Sequence, residues 1–159
     1  MVSDPGPPPV VSIGGGHRVA AREFERTAES VGHARLYIED VLAEHGVDDR
    51  DVVDAAVLLV SELGTDALQH GRGPEFSVEV VLSRRQVQVT VQTAAAAGAA
   101  GSRARSGPRP AGPAAVPLVP PRAAPDVAPH SRTIIDMMAD TWDVRQTAGD
   151  RTAWFRLDR

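Results

Sequence analysis

Apolar positions along this chain follow two periods, and the change from one to the other marks out its elements. In "REFERTAESVGHARLYIEDVLAEHG", Val31, Ala34, Ile38, Val41, Leu42 and His45 recur at helical spacing, and Gly46 stands where a C′ residue belongs. Thr27 or Ser30 offers a cap for the start of this opening helix. Asp48 or Asp49 then opens a second helix over roughly residues 51 to 70, ended by Gly71. Beyond it the period shortens to two. "EFSVEVVLS" puts Phe76, Val78, Val80 and Leu82 on one face, and "QVQVTVQT" does the same with Val87, Val89 and Val91. The short "SRRQ" between them predicts an antiparallel hairpin. After a long break, Ile134, Ile135, Met138 and Ala139 form a short helical stripe. Trp142 and Val144 begin a strand, "TAGD" reads as a turn and "RTAWFRLD" as a closing strand.

The predicted order is α-α-β-β-(long loop)-α-β-β. Helices segregated from a mostly antiparallel sheet make an α+β, two-layer α/β sandwich. Two segments stand outside it. Residues 1–19, with "DPGPPP" and "GGG", read as disordered, Gly14 to Gly16 being a flexible lead-in. Residues 94–130 are an Ala/Pro/Gly tract with four arginines and one aspartate, whose composition favours disorder. A single domain over residues 20–158, interrupted by that tract, is expected. Arg103, Arg105 and Arg109 give the tract a basic bias that suits a solvated linker more than a docking element.

Composition narrows the chemistry. All 17 basic side chains other than histidine are arginine, so Schiff-base catalysis and a P-loop lysine are excluded. With no cysteine there are no disulfides or thiolate metal sites. His17, His33, His45 and His130 are too scattered to suggest a metal centre. A formal charge of −4 argues against a nucleic-acid partner. No apolar run approaches the ~20 residues of a membrane span, and the start lacks a signal-peptide pattern, so a cytoplasmic protein is expected.

The candidate chemistry lies in "LLVSELGTDALQHG", residues 58–71, where Glu62 and Asp66 stand one turn apart in an apolar run. On a helical wheel Val53, Val57, Val60, Gly64, Ala67 and Leu68 cluster on one side, with Glu62, Asp66 and Gln69 opposite. The plain reading is a solvated face. Against it, Ala55, Leu58 and Leu59 share the side of Glu62, so the first two turns are apolar almost all round. Both carboxylates then stand at the mouth of a cleft, where partial desolvation suits a general base and carboxylate oxygens suit magnesium.

The second helix together with "GDRTAWFRL" resembles the GHKL (histidine kinase-like) ATPase superfamily. The similarity is greatest to the bacterial anti-sigma factor/serine kinases of partner-switching systems, in their stand-alone actinobacterial form. "REFERTAESVGHARLYIEDVL" looks like the opening helix of those proteins, and "MADTWDV" like the run into their final hairpin. The likeness covers roughly residues 20–93 and 131–158. It implies a Bergerat-type sandwich with the 94–130 tract at the lid position. It also implies ATP and magnesium as cofactors, and as partner a sigma factor or an anti-sigma antagonist in transcription regulation. No nucleic-acid or membrane partner is expected, and homodimerisation, common in the family, is left open.

The family's helix-two motif is E-L-x-x-N-A-x-x-H. Carried over, Glu62 is the catalytic residue that orients or deprotonates the attacking hydroxyl, His70 is the basic position before glycine, and Asp66 replaces the asparagine that holds magnesium. Thr93, or Gln92, replaces the aspartate that accepts from the adenine amino group, a charge-assisted bond of roughly 1.5–3 kcal/mol. In "PHSRTII", Arg132 fits a basic position, but Thr133 stands where a phosphate-binding turn has glycine. Thr152 matches the threonine supporting the adenine end, and is equally at ease as an ordinary β-branched strand residue. With three of four boxes altered at ~1.5 kcal/mol each, nucleotide affinity falls by about three orders of magnitude. The expectation is a retained fold with a degenerate active site: an anti-sigma-like regulator with ATP binding weakened or lost. The alternative is an active serine/threonine kinase.

Overall fold

The computed structural model describes residues 11–13, 16–94, 127–146 and 150–159. Along the chain these form β1 (Val11–Ile13), β2 (His17–Glu25), α1 (Ala28–Glu44), α2 (Arg50–His70), β3 (Glu75–Leu82), β4 (Gln86–Ala94), α3 (Pro129–Met138), β5 (Thr141–Gln146) and β6 (Asp150–Asp158). The strands make one sheet in the order β1-β2-β3-β4-β6-β5, and every neighbouring pair is antiparallel. The α+β, two-layer architecture expected from the sequence is the one observed.

Alternation along the strands decides which face is covered. Phe76, Val78, Val80 and Leu82 of β3, Val87, Val89 and Val91 of β4, and Ala153, Phe155 and Leu157 of β6 are all buried. Their neighbours of opposite parity are half-buried or exposed. With side chains alternating across the pleat, all the buried residues point to one face. There α1 packs on β2 and β3, α2 on β4 and β6, and α3 on α2. The two long helices lie close: a Cβ added at Gly64 would sit 3.4 Å from Val31. Trp142 packs against the core and Phe155 lies within it, whereas Trp154 lies half-buried on the other face.

Two local signals work as read. Gly46 takes φ +67°, and Val47 N–H donates to Leu42 O (2.9 Å) beyond it, an αL exit that satisfies the end of α1 and buries Val47. Asp49 caps α2, its side chain accepting from the amides of Asp51 and Val52.

The start of the chain differs from expectation. Residues 17–25, read partly as disordered and partly as the opening helix, are a strand paired with β3 along its length. Residues 11–13 form a further short strand, so residues 1–19 are not uniformly disordered. Ala20, Ala21 and Arg22 favour helix intrinsically, but in β2 only Ala20 and Phe24 are buried, and pairing with β3 overrides the preference. The helix starts at Ala28, after Thr27, whose Oγ1 accepts from Ser30 N–H (3.3 Å). Residues 127–130, read as part of the Ala/Pro/Gly tract, also belong to the fold: Val127 packs against the core and α3 starts at Pro129. The expectations for residues 95–126, including Arg103, Arg105 and Arg109, lie outside the described residues, as does most of the "TAGD" turn.

Candidate functional site

Helix α2 is covered on more than one side, by α1, by β4 and β6, and by α3. Its buried residues are therefore Val52, Ala55, Ala56, Leu59, Val60, Leu63, Gly64, Asp66 and Ala67. That arc is turned from the wheel drawn on the sequence: Val53, Val57 and Leu68 are only half-buried, and Asp66 falls inside the covered surface. Asp66 is 6% exposed. It belongs neither to a solvated face nor to an open cleft mouth.

Its partner is Arg151, the second residue of β6, 3% exposed. Arg151 Nε donates to Asp66 Oδ2 at 2.6 Å and Nη2 donates to Oδ1 at 2.9 Å. This is a two-pronged guanidinium–carboxylate bond in which both carboxylate oxygens are engaged. Arg151 Nη1 also donates to Gln146 Oε1 at 2.5 Å, at the end of β5. Alternation explains why an arginine is there: Arg151 shares the parity of Ala153, Phe155 and Leu157, all on the core face. A guanidinium on that face requires a carboxylate, and α2 supplies one.

Glu62, one turn earlier, is half-buried and has a different partner. Ser131 Oγ, in the first turn of α3, donates to Glu62 Oε2 at 2.6 Å. The N-cap of α3 is Ala128, which offers no side-chain cap, and its first turn carries no acidic residue. Glu62 thus brings from α2 the negative charge that the helix start lacks. Chemically, the pair is a hydroxyl held on a carboxylate, the arrangement from which a base takes a proton.

Thr93 is 1% exposed and shares the face of Val87, Val89 and Val91. It pairs in register with Arg151 across β4 and β6, and its buried Oγ1 has no hydrogen-bond partner among the described residues. Above it passes the end of α2. A Cβ at Gly71 would sit 2.3 Å from Ala67 O and 2.6 Å from Thr93 Cγ2, so only glycine lets the chain leave α2 so close to the sheet. Gln92, the other candidate for this position, is exposed on the far face.

The structure thus groups Glu62, Asp66 and Thr93 with Arg151 and Ser131. His70 ends α2, one turn beyond Asp66, and is half-buried. Arg132, next to Ser131, approaches Asp136 of its own helix (3.8 Å), a partly exposed pair. Thr133 lies within α3 and donates to Pro129 O (2.9 Å); the turn there is helical, not a glycine-type loop. Thr152 is not brought to the group. Its parity is opposite to that of Arg151, and it sits between Gln92 and Arg145 on the face away from the helices.

A magnesium ion at Asp66 would compete with Arg151, which already donates to both carboxylate oxygens, and would be repelled by the guanidinium charge. As arranged, these residues do not fit the ion. Among the described residues no group of three or more His, Cys, Asp or Glu side chains is placed to hold a metal.

The chain matches no family model and no curated protein. Among the described residues no helix is long and apolar enough to cross a membrane.

Arg151, Ser131 and Gln146 were missed at the sequence level. For Arg151 a signal existed: the alternation that places Phe155 and Leu157 inside places Arg151 inside too, and Asp66 was the odd acid in an apolar helix. For Ser131 and Gln146 there was none, because their partners are set by tertiary packing.

Proposed function

We propose that the chain is an anti-sigma-factor-like regulatory protein that binds a sigma factor, or an antagonist of that interaction, by protein docking in the cytoplasm, with ATP binding weakened or lost. The observation that carries this reading is the buried Asp66–Arg151 bridge. The residue standing where the resembled family has its magnesium-holding asparagine has both oxygens engaged by an internal cation. Thr93, at the adenine position, is buried beneath Gly71 with no charge to offer the base. The helix-two motif and the two-layer scaffold support the regulatory side of the reading.

Two experiments test it. Co-purification of the full chain with the host's sigma factors and antagonist proteins should recover one of them equally with and without Mg-ATP; recovery of neither class contradicts the regulatory role. Calorimetric titration with Mg-ATP should give no binding tighter than about 1 mM.

One observation favours a second reading, an ATP-dependent serine/threonine protein kinase acting on an antagonist. Glu62 holds the Ser131 hydroxyl at 2.6 Å, as a general base holds an acceptor. Mg-ATP affinity tighter than about 100 μM, lost in Asp66→Ala, would establish that reading over the first.

A further inference from the structure

At the opposite end of the sheet, about 20 Å from Thr93 along β4, the start of β2 and the β3–β4 turn border a cleft of about 400 Å³. Gly16, His17, Ser83, Arg84, Arg85 and Gln86 line it. We propose that this cleft is an anion site that takes a phosphate dianion, free or carried as a phosphate monoester on a partner.

The charge balance there is unmatched. Among the described residues, neither Arg84 nor Arg85 forms an ion pair or a side-chain hydrogen bond, and the same is true of His17. The sheet register brings the Asp158 carboxylate next to Gln86, where it accepts from Gln86 Nε2 (3.1 Å) and pairs with neither arginine. In a chain of net charge −4, two adjacent arginines outside any ion pair among the described residues mark this cleft out.

The backbone bearing them is fixed from both sides. Ser83 Oγ accepts from the amides of Arg85 (3.3 Å) and Gln86 (3.1 Å), and Ser83 N–H donates to Gln86 O (2.9 Å). From across the sheet, Arg159 N–H donates to Arg85 O (2.8 Å) and Arg159 Nε to Arg84 O (3.2 Å). The turn is therefore pre-organised, and an incoming anion orders only side chains. The other wall is low: Gly16 takes φ +78°, and a Cβ there would meet nothing within 4 Å. Two guanidinium forks on a fixed turn, with an imidazole across an open gap, match the charge and the several acceptor oxygens of a phosphate.

The site is independent of Asp66 and of any nucleotide. Titrating the full chain at constant ionic strength with inorganic phosphate, with a phosphoserine peptide and with its unphosphorylated form, while following the arginine Nε–H signals by NMR, tests it. Saturable shifts confined to Arg84 and Arg85, weakened at least tenfold in the Arg84→Ala/Arg85→Ala double variant, are expected. Arg84→Lys/Arg85→Lys, which keeps the charge but loses the forks, should fall in between. A tighter response to the phosphopeptide identifies a protein-borne phosphate, and one to inorganic phosphate alone a free ion. Linear, unsaturable shifts, or shifts that persist unchanged in the double variant, overturn the proposal.

Discussion

The two ends of this sheet use arginine in opposite ways. At one end Arg151 is 3% exposed, bonded through two nitrogens to Asp66 and through a third to Gln146. At the other, Arg84 and Arg85 stand exposed on a turn whose hydrogen bonds come from Ser83 and Arg159. Parity and burial make the difference. A guanidinium on the covered face must be matched within the fold, and the matching removes a carboxylate from ligand chemistry. One on an open turn is hydrated, contributes little to stability, and remains available for an external anion.

The contrast can be broken most sharply at Arg151. Replacing it with methionine leaves Asp66 buried without its cation, and a loss of about 3–5 kcal/mol in urea unfolding is expected. A loss below about 1 kcal/mol would mean that the pair is solvated in solution. Glu62→Ala probes the half-buried carboxylate on the same helix. Removing the Ser131 acceptor and the charge at the start of α3 should cost about 1 kcal/mol, seen in the same assay.

Glu79 lies between the two extremes, half-buried on the far face of β3 and in no ion pair among the described residues. Burial holds its carboxyl pKa above the ordinary value. The folded state therefore favours the neutral acid, and stability falls as pH rises through the interval between the unfolded and folded pKa values. Glu79→Gln should raise the urea midpoint modestly at about pH 7 and leave it unchanged below about pH 4. A gain at acid pH instead would reverse the assignment. Smallest of all, Arg84→Ala with Arg85→Ala should shift stability by no more than about 0.5 kcal/mol. A larger loss would make that turn structural and remove its contrast with Arg151.

Much of the architecture was legible in the pattern of residues. Phe76, Val78, Val80 and Leu82 against Val87, Val89 and Val91 define the central hairpin, while Gly46 and Asp49 mark real helix ends. Strand β2 was not legible, because its alternation rests on Ala20 and Phe24 alone, with strong helix formers between them and the helix following directly. In the site, Glu62, Asp66 and Thr93 stand out in the sequence, but their partners Ser131 and Arg151 do not. The wheel misjudged Asp66 because α2 is covered by three layers of neighbours, which widens its buried arc beyond one stripe. Thr152 matches the family's threonine or an ordinary β-branched strand residue equally well, and alternation sets it on the face away from Thr93.

The decisive property is whether Asp66 is a structural counter-ion. A double-mutant cycle with Asp66→Leu, Arg151→Met and both together, followed by urea unfolding, tests this directly. Each single change is expected to cost about 3–5 kcal/mol while the double variant recovers most of that loss, a coupling of several kcal/mol. Additive losses, with coupling below about 0.5 kcal/mol, would contradict it.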